Sequence, residues 1–227
     1  MGRLWQDFMS NSDEIIHKWR HYFPIYERHL APWVDRRVVM LEIGGSKGGS
    51  TRMWERFLGP YATIIGIDID EKCTKFERDG VAIRIGSQSD IPFLQAIVDE
   101  FGVPDIVLDD GSHHMADVRA TFDFLYPKLT DDAVYMVEDL HTAFLTEYGG
   151  SNDTEANFYL YAQRGILHMN REWSREDLPR VDVFDNTRSI HFYDSMVVFE
   201  KGRPPVIGTE QVGRRPALAN LKRRNFL

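Results

Sequence analysis

The sequence has 227 residues, 43% of them hydrophobic, which suffices for one substantial core with some extensions and leaves too little chain for two full domains. Lysine and arginine number 27 against 35 aspartate and glutamate, and the formal net charge of −8 repels a phosphate backbone, so a small molecule rather than nucleic acid is the expected partner. Cys73 is the only cysteine, which excludes an internal disulfide and points to a reducing compartment. The start of the chain lacks the apolar core of a signal peptide, and no apolar run reaches the roughly 18 residues of a membrane span, so a soluble cytoplasmic protein with no membrane contact is expected.

Residues 12–30 are rich in aromatic and charged residues, with Ile15, Ile16, Trp19, Tyr22 and Phe23 spaced for the buried face of one or two helices. They predict a helical leader over residues 1–36, packed on the main domain. Its aromatics exceed what a solvated helix needs, so a homo-oligomer is expected as well. Residues 37–43 then form a short apolar strand, the glycine-rich segment 44–50 a loop, and residues 51–58 a helix. The unit repeats: strand 62–68 with helix 71–78, strand 81–85 with helix 91–101, strand 105–108 with helix 116–125, and a fifth strand at 133–137. Strands alternating with helices predict a parallel sheet with right-handed crossovers.

Beyond Asp139 the pattern changes. Residues 154–169 read as a helix that could cover the carboxyl edge of the sheet as a lid. A late strand follows at 181–184 or 189–192, and another at 196–200, joined by a hairpin turn at Asp194 and Ser195. The predicted fold is therefore a doubly wound, Rossmann-like α/β domain over residues 37–202, with a seven-stranded mostly parallel sheet and a lid and acceptor segment at about 141–188. A tail over residues 203–227 carries Arg214, Arg215, Lys222, Arg223 and Arg224 and is expected to be a loosely ordered, solvated extension.

In such a sheet the ligand lies beyond the carboxyl ends of the strands. After the first strand, Gly44, Gly45, Gly48 and Gly49 let the backbone approach a ligand closely, and Ser50 ends that loop. The spacing is not GxGxxG. Glu42 precedes the loop, where it would repel a pyrophosphate and attract a cationic amino acid, which favours a sulfonium amino acid over a nicotinamide dinucleotide. Asp68, which ends the second strand, suits both ribose hydroxyls, and Ser87 and Gln88 after the third suit an adenine edge. Asp109 joins this cofactor group. Turn-forming glycines and helix-capping acids would explain one such loop, but not three successive strands each ending in groups suited to one ligand.

The fourth strand runs into Asp109-Asp110-Gly111-Ser112-His113-His114 and the fifth into Glu138-Asp139-Leu140-His141. These strands are neighbours in a doubly wound sheet, so Asp110, Glu138 and Asp139 can offer oxygens to one hard divalent cation, with magnesium the best candidate. His113, three residues after Asp110, is placed to take a proton from a substrate hydroxyl that such an ion would acidify. The competing explanation for these acids is capping of the helices that follow. His141, His168 and His191 read as structural, and His114 equally as a surface residue.

The segments 41–50, 109–113 and 137–139, with the leader segment Lys18-Trp19-Arg20-His21-Tyr22-Phe23-Pro24-Ile25-Tyr26, resemble the metal-dependent sugar O-methyltransferases of antibiotic biosynthesis. The macrocin, mycinamicin and rhamnosyl O-methyltransferases are the nearest types, with cephalosporin hydroxylase-like proteins as a related branch. The resemblance implies an S-adenosyl-L-methionine cofactor, Mg2+ held by Asp110, Glu138 and Asp139, His113 as the base for a sugar hydroxyl, and Glu42 and Asp68 holding the methionine and ribose parts. The chain's length sets it apart from the macrolide-sugar enzymes, and their auxiliary amino-terminal domain is expected to be missing. Tyr159, Tyr161 and Trp173 could form an apolar wall for the aglycone of a glycoside acceptor. The alternatives are methylation of a catechol-like diol, a catalytically silent cofactor-binding subunit, and a nicotinamide-dependent oxidoreductase.

Overall fold

A computed structural model of the chain describes residues 2–45, 47–203 and 208–213. The elements are α1 (Arg3–Met9), α2 (Phe23–Leu30), β1 (Val38–Ile43), α3 (Gly49–Leu58), β2 (Ala62–Asp68), β3 (Val81–Ile85), α4 (Ile91–Phe101), β4 (Ile106–Asp109), α5 (Met115–Leu125), β5 (Val134–Val137), α6 (Phe158–Met169), β6 (Thr187–Tyr193) and β7 (Met196–Lys201). The seven strands form one sheet in the order β3-β2-β1-β4-β5-β7-β6, parallel from β3 to β5, with β7 antiparallel to both β5 and β6. The strand order reverses between β1 and β4, and this is where a doubly wound sheet leaves a crevice at its carboxyl edge.

The central strands are apolar on both faces because helices cover both. On one face Leu41, Ile65, Val107, Tyr135 and Phe199 pack against α4, α5 and α6; on the other Met40, Ile64, Leu108, Met136 and Val198 pack against α1, α2 and α3. Among the described residues no helix is long and apolar enough to cross a membrane.

The five parallel strands and the closing hairpin stand where the sequence places them, and the later of the two options for β6 is the one formed. Residues 182–184 make a single 3-10 turn, and the helix expected over 71–78 forms as a six-residue 3-10 helix, Glu71–Phe76. The leader departs further from expectation. Its first helix, α1, precedes the predicted region, residues 10–19 run without helix, and Ile15 and Trp19 are 64% and 51% exposed while Tyr22 and Phe23 are buried. The reason is tertiary. The Leu4 amide at the start of α1 donates to the Glu27 carboxylate of α2 (2.6 Å), and the Arg56 guanidinium of α3 holds Asp7 (2.8 and 2.9 Å) and Asp13 (3.2 Å). These pairs lay residues 10–19 as a strap over the glycine loop, so close that a Cβ on Gly49 would sit 2.4 Å from the Ile15 carbonyl oxygen. Helix α6, expected as a lid, buries Phe158, Tyr161 and Ala162 in the core beside α5. The basic tail residues Arg214, Arg215, Lys222, Arg223 and Arg224 lie outside the described residues.

Candidate active site

The tips of β1, β2, β4 and β5 and the strap surround a cavity of about 380 Å³, lined by Lys18, Gly44, Gly45, Ser50, Asp68, Asp110, His113 and Asp139 among others. Gly44, Asp68 and Gly111 also line a second cavity of about 210 Å³, which continues to Ser87 and Gln88. The two form one path across the reversal point of the sheet, from the acidic tips of β4 and β5 to the end of β3.

Gly44 is essential to this path. Its φ is +88°, and a Cβ there would meet the Asp110 carbonyl oxygen at 2.0 Å. Below it Glu42 is fully buried, accepting from Trp54 Nε1 and Ser50 Oγ, each at 3.0 Å. Burial raises its pKa, and Lys18, Trp54 and Ser50 act against that rise. Ser50 therefore faces the cavity while its hydroxyl steadies Glu42.

At the far end Gln88 is largely spoken for: Nε2 donates to both Asp109 oxygens (3.1 and 3.2 Å), and Oε1 accepts the Ser112 amide (2.7 Å). Asp109 lies beneath the cavities, and burial pushes its pKa up to about 7 against the opposing Gly111 amide and Gln88. Ser87 keeps its hydroxyl at the cavity, 3.1 Å from that of Ser89. Asp68 accepts the Asp70 amide at 2.9 Å and lines both cavities.

The acidic cluster is built jointly by strand tips and leader. Lys18 Nζ, 3% exposed, donates to Asp110 Oδ2 (2.5 Å) and Glu138 Oε2 (2.9 Å) and stands 4.0 Å from Glu42. Burial opposes its charge, but Asp110, Glu138 and Glu42 outweigh it and raise its pKa. The Tyr26 hydroxyl donates to Glu138 Oε1 at 2.5 Å; the Tyr22 hydroxyl donates to Asp139 Oδ1 at 2.7 Å and accepts the Asp139 amide at 3.1 Å. Burial first and Asp110 second push Glu138 up to about 8. His113 Nε2 stands 3.7 Å from Asp139 Oδ2 and 4.0 Å from Asp110 Oδ1. His113 (φ +58°) and Asp139 (φ +52°) both hold left-handed backbone, a strain that persists where surrounding structure enforces it.

One ligand atom each from Asp110, His113 and Asp139 lies within 4.8 Å of the others. The oxygens that remain free of Lys18 and Tyr22 are the ones facing His113. The free carboxylate oxygens of Asp110 and Asp139 on the side of His113 fit a hard divalent cation, which takes oxygen donors, while Glu138 stands behind them with its two oxygens bound by Lys18 and Tyr26. Of the expected site residues, Gly44, Gly45, Ser50, Asp68, Asp110, His113 and Asp139 line the first cavity and Ser87 and Gln88 the second, whereas Glu42, Asp109 and Glu138 lie buried beneath them and line neither. Lys18, Tyr22, Tyr26 and Trp54 carry roles that reading the strand tips alone did not assign; the signal was a surplus of buried acids without a neighbouring cation.

No family model matches the sequence. The chain is 34% identical over 191 residues to 8-demethyl-8-alpha-L-rhamnosyl tetracenomycin-C 2'-O-methyltransferase of Streptomyces olivaceus, an alignment covering 79% of this chain and 50% of that protein. It is 37% identical over 195 residues to demethylmacrocin O-methyltransferase of Streptomyces fradiae, covering 80% and 49%. Among solved structures, MycE methyltransferase from the mycinamycin biosynthetic pathway, in complex with Mg, SAH and mycinamycin VI, superimposes with a TM-score of 0.75 at 30% identity, covering 88% of this chain and 53% of that one. The chain spans about half the length of the curated relatives it matches. Over most of its own length, then, it is a homologue of the sugar O-methyltransferases of macrolide and tetracenomycin biosynthesis.

Proposed function

We propose that the chain transfers the methyl group of S-adenosyl-L-methionine to a sugar hydroxyl of a glycosylated natural product, with Mg2+ as metal. The observation that carries this reading is the convergence of Asp110, His113 and Asp139 at one end of a glycine-floored cavity that runs past Asp68. Relatives named for methylation of rhamnosyl and macrolide sugars support it, as does a structural neighbour holding Mg and SAH.

S-adenosyl-L-methionine supplies an electrophilic methyl group, and a divalent cation held by Asp110, Glu138 and Asp139 supplies a Lewis acid that favours an ionised hydroxyl. The chain's own residues do the rest. Gly44 and Gly45 leave room for the methionine moiety, Glu42 offers negative charge below it, and Asp68 accepts from the ribose. His113, partly open to the cavity and 3.7 Å from Asp139, takes the acceptor proton. Direct displacement needs alignment of the hydroxyl and removal of its proton, with no covalent intermediate on the protein.

The acceptor side is read from exposure. Tyr161 is buried and donates to Asp123, and Trp173 lies far along the chain in a separate cavity with His168 and Arg180. Trp19, beside Lys18, packs edge-on against His141, two residues from Asp139; Phe144 stacks on Tyr159 at 5.7 Å. Trp19 and Phe144 are each 51% exposed and form the apolar surface next to the acidic cluster that suits an aglycone. The apolar exposure of Met9, Ile15 and Trp19 also supports self-association through the leader, which light scattering tests, and the lone buried Cys73 suits a reducing cytoplasm.

The deciding experiment is calorimetric titration with S-adenosylhomocysteine, with and without magnesium, followed by methyl transfer from labelled S-adenosyl-L-methionine to deoxysugar glycosides. Cofactor binding with metal-dependent transfer is expected. Absence of cofactor binding under every condition overturns the reading.

A further inference from the structure

Away from the active site, α2 crosses the outer face of the β6–β7 hairpin and brings a second set of metal-ligating side chains together. The antiparallel register pairs Ser189 with Glu200 and His191 with Val198, so Glu200 and His191 are diagonal neighbours on one face. His29 of α2 reaches down onto them. Its Nδ1 lies 2.9 Å from Glu200 Oε1, His191 Nε2 lies 3.7 Å from Glu200 Oε2, and the two imidazole centroids are 4.7 Å apart. One ligand atom from each of the three lies within 4.8 Å of the others.

We propose that His29, His191 and Glu200 form a zinc site that pins α2 to the β6–β7 hairpin. The donor set decides the metal: two imidazoles with one carboxylate suit a borderline ion such as zinc, whereas the oxygen-rich cluster around Asp110 suits magnesium. The spacing suits it too. Ligand atoms about 2.0–2.2 Å from a tetrahedral ion stand roughly 3.3–3.5 Å apart; the two imidazoles approach one oxygen each of the Glu200 carboxylate, at 2.9 and 3.7 Å, and one ligand atom from each residue lies within 4.8 Å of the others. The second ring nitrogen of His29 lies 2.9 Å from the Tyr193 hydroxyl, the outer partner that a ligating histidine ordinarily keeps to fix its ring. Ser189 Oγ donates to Glu200 Oε2 at 2.7 Å and orients the carboxylate.

His29 is 3% exposed and the side chains of His191 and Glu200 are 24% and 23% exposed, so the site has a rigid floor and an open entrance where water completes the coordination. Arg188, 3.7 Å from Glu200 Oε2, is the competing cation. Zinc binding would fix the helix that presents Tyr26 to Glu138.

The test uses the full chain without a histidine tag, stripped with a chelator and titrated with cobalt and then zinc. One equivalent giving the strong visible bands of four-coordinate cobalt, displaced by zinc, is expected, with a rise in Tm on zinc addition. His29→Ala risks unfolding, so the partly exposed ligands carry the test: His191→Ala and Glu200→Gln should each weaken zinc binding by a factor on the order of a hundred and abolish the cobalt bands. Asp110→Asn should leave both unchanged. No binding at micromolar zinc, binding indifferent to His191→Ala and Glu200→Gln, or binding lost in Asp110→Asn each overturns the proposal.

Discussion

Lys18 concentrates the electrostatics of the site in one side chain, because three carboxylates depend on a single buried ammonium. Removing one partner of a buried ion pair commonly costs about 3–5 kcal/mol, since the remaining charge keeps its desolvation penalty. Lys18→Met should therefore be strongly destabilising in urea unfolding of the metal-free protein, and the deficit should depend on pH. The folded-state pKa of Glu138, about 8, lies above its unfolded value, so its contribution to stability is present at low pH and is lost as pH rises through about 8. Without Lys18 that pKa moves higher still. The deficit of Lys18→Met should thus widen between pH 6 and pH 9; a constant deficit would mean that Glu138 does not feel the ammonium. His113 makes a contrasting case, being partly exposed and bonded to no neighbour below 3.7 Å among the contacts described. His113→Ala should lower kcat by roughly a hundredfold, the scale of losing a general base, while leaving the Kd for S-adenosylhomocysteine unchanged. Wild-type turnover in that variant would remove His113 from the mechanism.

At the scale of elements, the carboxyl edge of the sheet works because β1 turns away from its neighbours without a side chain in the path. Gly44→Ala would place a methyl group against the Asp110 carbonyl at a φ of +88°, a conformation costing about 1–3 kcal/mol before any clash is relieved. The expected result is a lower Tm together with weaker S-adenosylhomocysteine binding; undiminished affinity would show that the loop does not approach the ligand. This edge was legible in the sequence because its signals are local: apolar runs ending in Glu42, Asp68, Asp109 and Glu138, each followed by turn residues. The leader was not, because its causes are distant. Helix α1 has no side-chain cap of its own and is capped by Glu27 of α2, and the strap is held by Arg52 and Arg56 of α3, partners that periodicity cannot reveal. Ile15 and Trp19 fit a helical spacing and belong to no helix. Trp19 instead faces outward with His141 and Phe144, so the acceptor surface is a joint product of the strap and the segment after β5. Phe144→Ala should raise KM for a glycoside acceptor severalfold with kcat and cofactor affinity nearly unchanged, the signature of lost uniform binding. A fall in kcat without a change in KM would place Phe144 in positioning the hydroxyl.

For the molecule as a whole, the question is how much of a two-fold longer relative this chain can stand in for. Every group assigned to the methyl donor and the metal comes from residues described here, and the leader that closes the cavity belongs to the same chain. The acidic tips are bridged to the leader by Lys18, Tyr22 and Tyr26. Binding to the folded state alone stabilises by about 2.7 kcal/mol at a hundredfold excess over Kd, and about 2–4 °C of Tm accompanies each kcal/mol in a chain of this size. Saturating S-adenosylhomocysteine should therefore raise Tm by about 5–10 °C, with magnesium adding a further increment that a chelator removes. Because the donor groups and the metal groups share one cavity wall at Gly44 and Asp110, the two increments should exceed their separate sum when both ligands are present. A cofactor shift that is absent in the isolated chain would mean that half of the relatives' length is too little to hold the donor, and strictly additive shifts would mean that the two ends of the cavity act independently.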